Sequence, residues 1–171
     1  MMNIMKNLIV LVGMMGCGKS TIGAFLSRVI GYDFVDIDKE IEKSENMSIT
    51  NIFNEYGEKY FRKIEKLKTF EYVNRKKIVL SLGGGGFEDE ETREILKKYG
   101  FVIYLKATPE CLFNRIKTEI HRPLLRKNFS VDSIAFILKK RHNNYEKAHV
   151  TIDTTNKTKK EIVCKIERLI K

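Results

Sequence analysis

The sequence predicts a three-layer α/β/α protein in which helices cover both faces of a five-stranded parallel sheet. Short apolar runs recur along the chain, and each one is followed by a segment with helical spacing of its apolar residues. A glycine-rich loop joins the first apolar run to the first helical segment, in which Ile22, Leu26 and Val29 repeat at helical intervals. Strands that alternate with helices in this way pair in parallel, and a parallel sheet is buried on both faces.

The first half of the chain contains three of the predicted strands. The first strand is the apolar run 8–12, and the helix 20–30 follows its loop. A short second strand, 34–36, precedes helical turns at 38–43 and 48–56 and a longer helix at 60–74. The third strand, 78–82, runs directly into four consecutive glycines.

Helix-capping signals set the elements of the second half. Segment 89–99 begins with acidic residues and ends with lysines, which suits a helix dipole, and strand 101–105 follows. Thr108 before a proline predicts a helix from 109 to about 117. A polar stretch, 118–130, is predicted as a functional loop. Helix 131–148, strand 150–153 and a last helix that begins at a Thr158–Glu161 capping box complete the order.

Composition indicates one soluble globular domain over residues 1–171. The 171 residues are 43% apolar and 32% charged with only 2 prolines, which excludes disordered and collagen-like chains. Cys17, Cys111 and Cys164 are too far apart to predict a disulfide framework or a structural metal, and they indicate a reducing, cytoplasmic setting. No apolar stretch is long enough to predict a membrane span. A formal net charge of +10 leaves nucleic acid open as a partner at this point.

Residues 13–20 match the phosphate-binding pattern G-x-x-x-x-G-K-[ST] between a strand and an amphipathic helix. Backbone N–H groups of such a loop wrap around phosphate oxygens, Lys19 reaches the β- and γ-phosphates, and Ser20 offers a ligand for Mg²⁺. The predicted nucleotide-binding residues of the loop are Gly16, Cys17, Gly18, Lys19, Ser20 and Thr21. A tight glycine turn without a ligand is the alternative that we weigh least.

Asp36 and Asp38 lie at the end of the second predicted strand. Side chains two residues apart point the same way from a strand, here toward the carboxyl edge at which α/β proteins bind ligands. Phosphoryl transfer needs a carboxylate on the magnesium side and a group that handles the attacking hydroxyl, and this pair offers both. The alternative is that the pair simply forms a helix N-cap or a turn.

The glycine run 83–86 and three arginines are the remaining candidates. Four glycines after a strand allow a ligand to approach the main chain closely, although a flexible connection is the alternative. Arg141 falls on the apolar stripe of its helix, where it needs an anionic partner such as a substrate carboxylate or an internal carboxylate. Arg122 lies in the loop 118–130 and would close over the transferred phosphoryl group. Helical spacing alone favours a surface ion pair between Arg62 and Glu65.

Together these segments resemble the shikimate kinase family, in order and over nearly the whole chain from Gly13 to about Asp153. The resemblance rests on the phosphate-binding loop, the Asp36–Asp38 pair and four further motifs. These are Phe61-Arg62-x-x-Glu65, Ser81-Leu82-Gly83-Gly84-Gly85, Arg122-Pro123-Leu124-Leu125 and Arg141-x-x-x-Tyr145. The phosphate-binding loop alone occurs in many nucleotide-binding proteins, and its combination with the arginines and the glycine run is far more specific.

The resemblance implies a fold like that of the nucleoside monophosphate kinases, with substrate-binding helices at about 38–65 and a lid at about 118–130. It also implies ATP-dependent phosphorylation of the 3-hydroxyl of shikimate, with Mg²⁺, in aromatic amino-acid biosynthesis. Asp38, Lys19 and Arg122 would be catalytic, and Asp36 and Ser20 would serve the metal. Shikimate would be bound by Asp38, Arg62, Gly83, Gly84, Gly85 and Arg141, and the nucleotide by the loop residues with Arg115 and Arg122. For Arg62 the resemblance thus reverses the preference from helical spacing.

Two other functions stay open beside this one. A related small-molecule kinase of the gluconate type would share the fold, and a non-catalytic nucleotide-binding module would be expected to lack Asp38 or the arginines. The lysine clusters at 76–77, 97–98 and 159–160 carry no interleaved aromatic residues, which is typical of a solvated surface. We therefore expect a cytoplasmic monomer whose partners are small molecules, and neither nucleic acid nor a membrane.

Overall fold

The computed structural model describes residues 6–117 and 130–171, and they form a parallel sheet between two layers of helices. The strands are β1 (Leu8–Val12), β2 (Asp33–Asp36), β3 (Ile78–Ser81), β4 (Phe101–Lys106) and β5 (Val150–Asp153). The α-helices are α1 (Lys19–Ile30), α2 (Ile37–Glu45), α3 (Ile49–Val73), α4 (Glu90–Tyr99), α5 (Pro109–Ile116), α6 (Val131–Tyr145) and α7 (Lys159–Ile170). The predicted fold class is thereby confirmed.

The strand order is β2-β3-β1-β4-β5, and every neighbouring pair is parallel. Leu11 of β1 and Asp36 of β2 both pair with Ser81 of β3, so these three strands end at the same level. The loops that follow them are the phosphate-binding loop, the start of α2 and the glycine run. Parallel pairing therefore brings three distant candidate segments to one edge of the sheet.

Successive side chains of β1 point alternately into two apolar cores, one on each face of the sheet. Ile9 and Leu11 belong to the core that α1 and α7 cover, whereas Val10 and Val12 belong to the core on the side of α3 and α4. All of these residues are at most 1% exposed. A central strand that is buried on both faces explains why β1 reads as a continuous apolar run.

Several predicted boundaries need correction. The helical segments 48–56 and 60–74 form one assigned element, α3, interrupted at Gly57, whose φ of 79° is left-handed. A 3₁₀ turn, Gly86–Glu88, follows the glycine run and was not predicted. Helix α6 ends at Tyr145 rather than at 148, and β3 ends at Ser81 rather than at 82. The predicted loop lies outside the described residues except for its last position, 130.

None of the described helices is long and apolar enough to cross a membrane.

Candidate active site

The phosphate-binding loop connects β1 to α1 with three glycines in positive-φ conformations. The φ angles are 144° at Gly13, 77° at Gly16 and 99° at Gly18, and residues other than glycine rarely adopt such angles. The Lys19 ammonium lies back over the loop and donates to the carbonyl oxygens of Gly13, at 2.9 Å, and Met14, at 3.1 Å. The lysine is therefore held at the mouth of a loop that opens at a helix N-terminus, where an anion is stabilised.

Asp36 links the loop to the second strand. Its Oδ2 accepts a hydrogen bond of 2.6 Å from the Ser20 hydroxyl, while its Oδ1 caps helix α2 by accepting from the Asp38 backbone N–H at 3.1 Å. The helix-cap alternative is thus realised, and the bond from Ser20 also places this carboxylate beside the phosphate-binding loop. Hard oxygen ligands of this kind fit Mg²⁺, which takes one or two protein oxygens together with phosphates and water.

Two cavities open at the carboxyl edge of the sheet. The P-loop cavity, of about 380 Å³, is lined by the phosphate-binding loop together with Ser81, Leu82, Arg115, Lys157, Lys159 and Ile162. The arginine cavity, of about 320 Å³, is lined by Arg62, Arg141, Glu65, residues 83–85 and an apolar wall that includes Met15, Phe53 and Phe61. Ser20, Asp36 and Asp38 line both cavities. A phosphoryl donor in one and an acceptor in the other would therefore meet at these residues.

Arg62 reaches the arginine cavity from helix α3. It pairs with Glu65, with 2.7 Å between Nη1 and Oε2, and with Glu58, with 3.1 Å between Nη2 and Oε1. The predicted ion pair with Glu65 is present, but the prediction of a surface pair is wrong, because Glu65 is only 2% exposed. Burial raises the pKa of Glu65, against the opposing effect of Arg62. Its Oε1 accepts no hydrogen bond from the described residues, which leaves an acceptor beside the cavity.

The glycine run gives room to the side chains of the site. A Cβ on Gly83 would lie 2.1 Å from Oε1 of Glu65 and 2.8 Å from Oδ1 of Asp38. A Cβ on Gly85 would lie 2.4 Å from Nη2 of Arg62. Contacts this short are not tolerated, so these two positions exclude any larger residue while the carboxylates and the guanidinium stay in place. The glycine run therefore leaves the space that these neighbouring side chains occupy, and it is not a loose connection.

Arg141 enters the arginine cavity from helix α6. Its Nη1 donates to the Gly84 carbonyl oxygen at 3.0 Å, and the Tyr145 hydroxyl donates to the same oxygen. The alternative of an internal ion pair is not realised, since no carboxylate of the described residues lies within ion-pair distance of Arg141. A cation bonded to a neutral carbonyl retains its charge for an anionic ligand.

Arg115 lies at the far side of the P-loop cavity. It donates to the Thr154 carbonyl oxygen at 2.8 Å, to the Thr154 hydroxyl at 3.2 Å and to the Cys17 carbonyl oxygen at 3.5 Å. These bonds tie the phosphate-binding loop to the turn after β5. The Cys17 side chain is 1% exposed, which favours an inert loop residue over a reactive thiol. Arg122, the predicted lid arginine, lies outside the described residues.

Several residues of the site were not assigned a role from the sequence. Glu65 was treated only as a partner of Arg62, and Phe53 and Met15 were passed over as apolar residues. Lys157 and Lys159 line the P-loop cavity from a segment beyond Asp153, where the resemblance to the family ends. The glycine run was the available signal for Glu65, because consecutive glycines indicate positions where a neighbouring group leaves no room for a Cβ.

Comparison with known proteins identifies the family. The family model described as shikimate kinase matches residues 15–171. The chain belongs to the shikimate kinase family. The shikimate kinase of Chlorobium phaeovibrioides is 41% identical over 177 residues, covering 96% of this chain and 90% of that protein. That of Persephonella marina is 43% identical over 162 residues, covering 95% and 97%.

A solved structure agrees with this assignment. The shikimate kinase of Acinetobacter baumannii, in complex with shikimate, superimposes with a TM-score of 0.92 at 38% identity and covers 96% of this chain and 92% of that one. As a member of the shikimate kinase family, the chain is an ATP-dependent kinase. The reaction of the family is transfer of the γ-phosphoryl group of ATP to the 3-hydroxyl of shikimate. The predicted family, fold and reaction are confirmed.

Proposed function

We propose that this chain binds ATP in the P-loop cavity and shikimate in the arginine cavity, and that the two meet beside Asp38. The observation that carries this division is that Ser20, Asp36 and Asp38 line both cavities. Holding donor and acceptor in adjacent sites supplies most of the catalysis of phosphoryl transfer, because positioning and electrostatic stabilisation are the main contributions that a protein makes.

On the nucleotide side, the backbone of Gly16, Cys17 and Gly18 binds the phosphates with Ser20 and Thr21. Lys19 exchanges its carbonyl partners, Gly13 and Met14, for the β- and γ-phosphate oxygens. Arg115, which is fixed to Thr154 at one end of the P-loop cavity, lies beside the base. Arg122, by resemblance to the family, neutralises the developing charge from the lid at about 118–130.

Magnesium is held by Ser20 and Asp36. Their oxygens are already 2.6 Å apart and face the P-loop cavity, which fits a hard cation with few protein ligands. When bound, the metal supplies neutralisation of charge on the phosphates. The Asp36 carboxylate is oriented by its second bond, from the Asp38 N–H.

On the acceptor side, Arg62 and Arg141 bind the carboxylate of shikimate and Asp38 orients the 3-hydroxyl and accepts its proton. The charge of Arg62 is balanced by Glu58 and Glu65, whereas Arg141 has no ion-pair partner among the described residues. Arg141 is therefore a cation in this cavity whose charge is left for an anionic group of the ligand. Gly83, Gly84 and Gly85 form the wall against which the substrate ring lies, opposite the substrate-binding region of about 38–65, and all of these residues belong to a single domain of 1–171.

A coupled assay of ADP release tests this proposal against its rivals. The proposal is supported if ADP forms with shikimate but not with gluconate, and not when the acceptor is omitted. Turnover with gluconate would favour a gluconate-type kinase. Strongly salt-sensitive binding of RNA or DNA without kinase activity would favour a non-catalytic nucleotide-binding module.

We further propose that the enzyme works in the cytoplasm as a monomer and binds neither nucleic acid nor membranes. Three free cysteines fit a reducing compartment. Light scattering coupled to size-exclusion chromatography measures the mass in solution. A mass near 20 kDa agrees with a monomer, and about twice that value contradicts it.

A further inference from the structure

Two side chains of helix α6 donate to one main-chain oxygen in the glycine run. Arg141 and Tyr145 are four residues apart, so they lie on the same face of the helix. The Arg141 guanidinium and the Tyr145 hydroxyl both donate to the carbonyl oxygen of Gly84. Only Arg141 lines the arginine cavity, whereas Tyr145 reaches the shared oxygen from the protein interior.

We propose that Tyr145 is a positioning residue for the substrate, whose hydroxyl fixes the Gly84 carbonyl and, through it, both the glycine run and the Arg141 guanidinium. This inference rests on the proposed function, because it assigns Tyr145 to the same acceptor site. Tyr145 does not touch the substrate. It sets the orientation of the groups that do.

The argument starts from the peptide group between Gly84 and Gly85. In a trans peptide the C=O and N–H bonds point in opposite directions, so a carbonyl held toward α6 turns the Gly85 N–H away from α6. Neither the Gly84 nor the Gly85 N–H donates to another described residue, and both glycines line the arginine cavity. The Gly86 N–H closes this turn by donating to the Gly83 carbonyl oxygen at 3.1 Å. Type I and type II turns differ in the direction of the central peptide, and glycine at the third position permits both, so the direction of these donors depends on what holds the Gly84 carbonyl.

The surroundings of Tyr145 suit a fixed hydrogen-bond donor. The side chain is 0% exposed, and its ring stacks on that of Tyr104 with 4.9 Å between centroids. Burial raises the pKa of Tyr145 above its usual value, although Arg141 opposes the shift. The hydroxyl therefore keeps its proton at neutral pH and remains a donor.

Tyr104 provides a matched control inside the same pair of rings. Its hydroxyl is also buried, but it has no hydrogen-bond partner among the described residues. Removing that hydroxyl deletes no contact with the glycine run. Tyr145→Phe and Tyr104→Phe thus remove the same atom from two stacked rings, and only the first change affects the Gly84 carbonyl.

The test is steady-state kinetics of both variants with shikimate and ATP varied in turn. For Tyr145→Phe we expect the KM for shikimate to rise about 3- to 10-fold, the effect of one neutral hydrogen bond, with the KM for ATP unchanged. For Tyr104→Phe we expect both constants to stay at the wild-type values. A KM does not depend on the concentration of active enzyme, so partial unfolding of a variant would not imitate this result.

Three outcomes overturn the inference. The KM for shikimate could stay unchanged in Tyr145→Phe, the KM for ATP could rise equally, or Tyr104→Phe could show the same rise. Absence of shikimate-dependent turnover in the wild-type protein would instead overturn the proposed function, so the two failures are distinguishable. A thermal melt of each variant separates loss of stability from loss of substrate affinity.

Discussion

Substitution of Gly85 by alanine should damage substrate binding while sparing the fold. Gly85 has a φ of −104° and a ψ of −9°, which alanine adopts without strain. The new Cβ would lie 2.4 Å from Nη2 of Arg62, whereas ordinary contact begins at 3.4 Å. The guanidinium must therefore retreat by about 1 Å. Because Arg62 is a long and flexible side chain, the movement falls on the substrate-binding group rather than on the backbone.

The size of the effect follows from the bond that is lost. A hydrogen bond to a charged group contributes about 1.5–3 kcal/mol, which corresponds to a change of about 10- to 150-fold in affinity. Since Arg62 is displaced and not deleted, we expect the KM for shikimate to rise by about 10-fold in Gly85→Ala. Replacing glycine at a compatible position stabilises by about 0.4–1 kcal/mol, and the disturbed Arg62–Glu65 pair opposes this gain. The melting temperature should stay within about 5 °C of the wild type.

A double-mutant cycle identifies the cause. If Gly85→Ala acts through Arg62, it should raise the KM for shikimate much less in an Arg62→Ala background than in the wild type. The assay is coupled ADP release with shikimate varied at saturating ATP, and the KM for ATP serves as an internal control. Additive effects of the two substitutions, or an unchanged KM in Gly85→Ala, would refute the reasoning.

Three further predictions concern the carboxylates and a histidine. Asp38→Asn should lower kcat by at least about 100-fold with nearly unchanged nucleotide affinity by calorimetry, and near-normal turnover would contradict its role. Asp36→Asn should raise the Mg²⁺ concentration for half-maximal velocity by about 10-fold, since Ser20 alone remains, and an unchanged metal requirement would place the ion elsewhere. Burial lowers the pKa of His149, whose Nδ1 accepts a hydrogen bond from the Val102 N–H at 2.9 Å. The neutral imidazole therefore stabilises the fold fully above about pH 6.5, and this contribution is lost as the pH falls. The melting temperature should drop from pH 7.5 to 5.5, and less in His149→Asn, which keeps an acceptor; an equal drop in both proteins would exclude His149 as the source.

The parts of the site that depend on local physics were predictable from the sequence. The phosphate-binding loop needs glycines at fixed positions between an apolar strand and a helix, so a short pattern specifies it. The strand period that argued for the pair is wrong for Asp38, because β2 ends at Asp36 and Asp38 lies in the first turn of helix α2. Both carboxylates nevertheless line the two cavities. Their convergence with the loop then follows from parallel pairing, because the carboxyl ends of adjacent parallel strands share one edge of the sheet.

The clearance around the glycine run was not predictable in the same way. Four glycines indicate that something approaches closely, but the sequence does not say whether a ligand or a side chain does so. In the structure the approaching atoms belong to Asp38, Glu65 and Arg62, which are 18 to 45 residues distant along the chain. Such contacts depend on the packing of α2 and α3 against the end of β3, and no local periodicity encodes that packing.

Arg62 shows how helical spacing can give the right contact and the wrong environment. The i, i+3 rule predicted its pair with Glu65, and the pair exists at 2.7 Å. The rule states which residues share a face of a helix, but not what that face packs against. Here the left-handed Gly57 interrupts α3, and the segment after it directs Glu65 into the protein with only 3% of its side chain exposed. A buried carboxylate requires a cation, so the pair with Glu65 holds Arg62 at the rim of the cavity. A solvent-exposed pair would have kept Arg62 away from it. The same ion pair that argued for a structural role thereby positions the guanidinium for an anionic substrate.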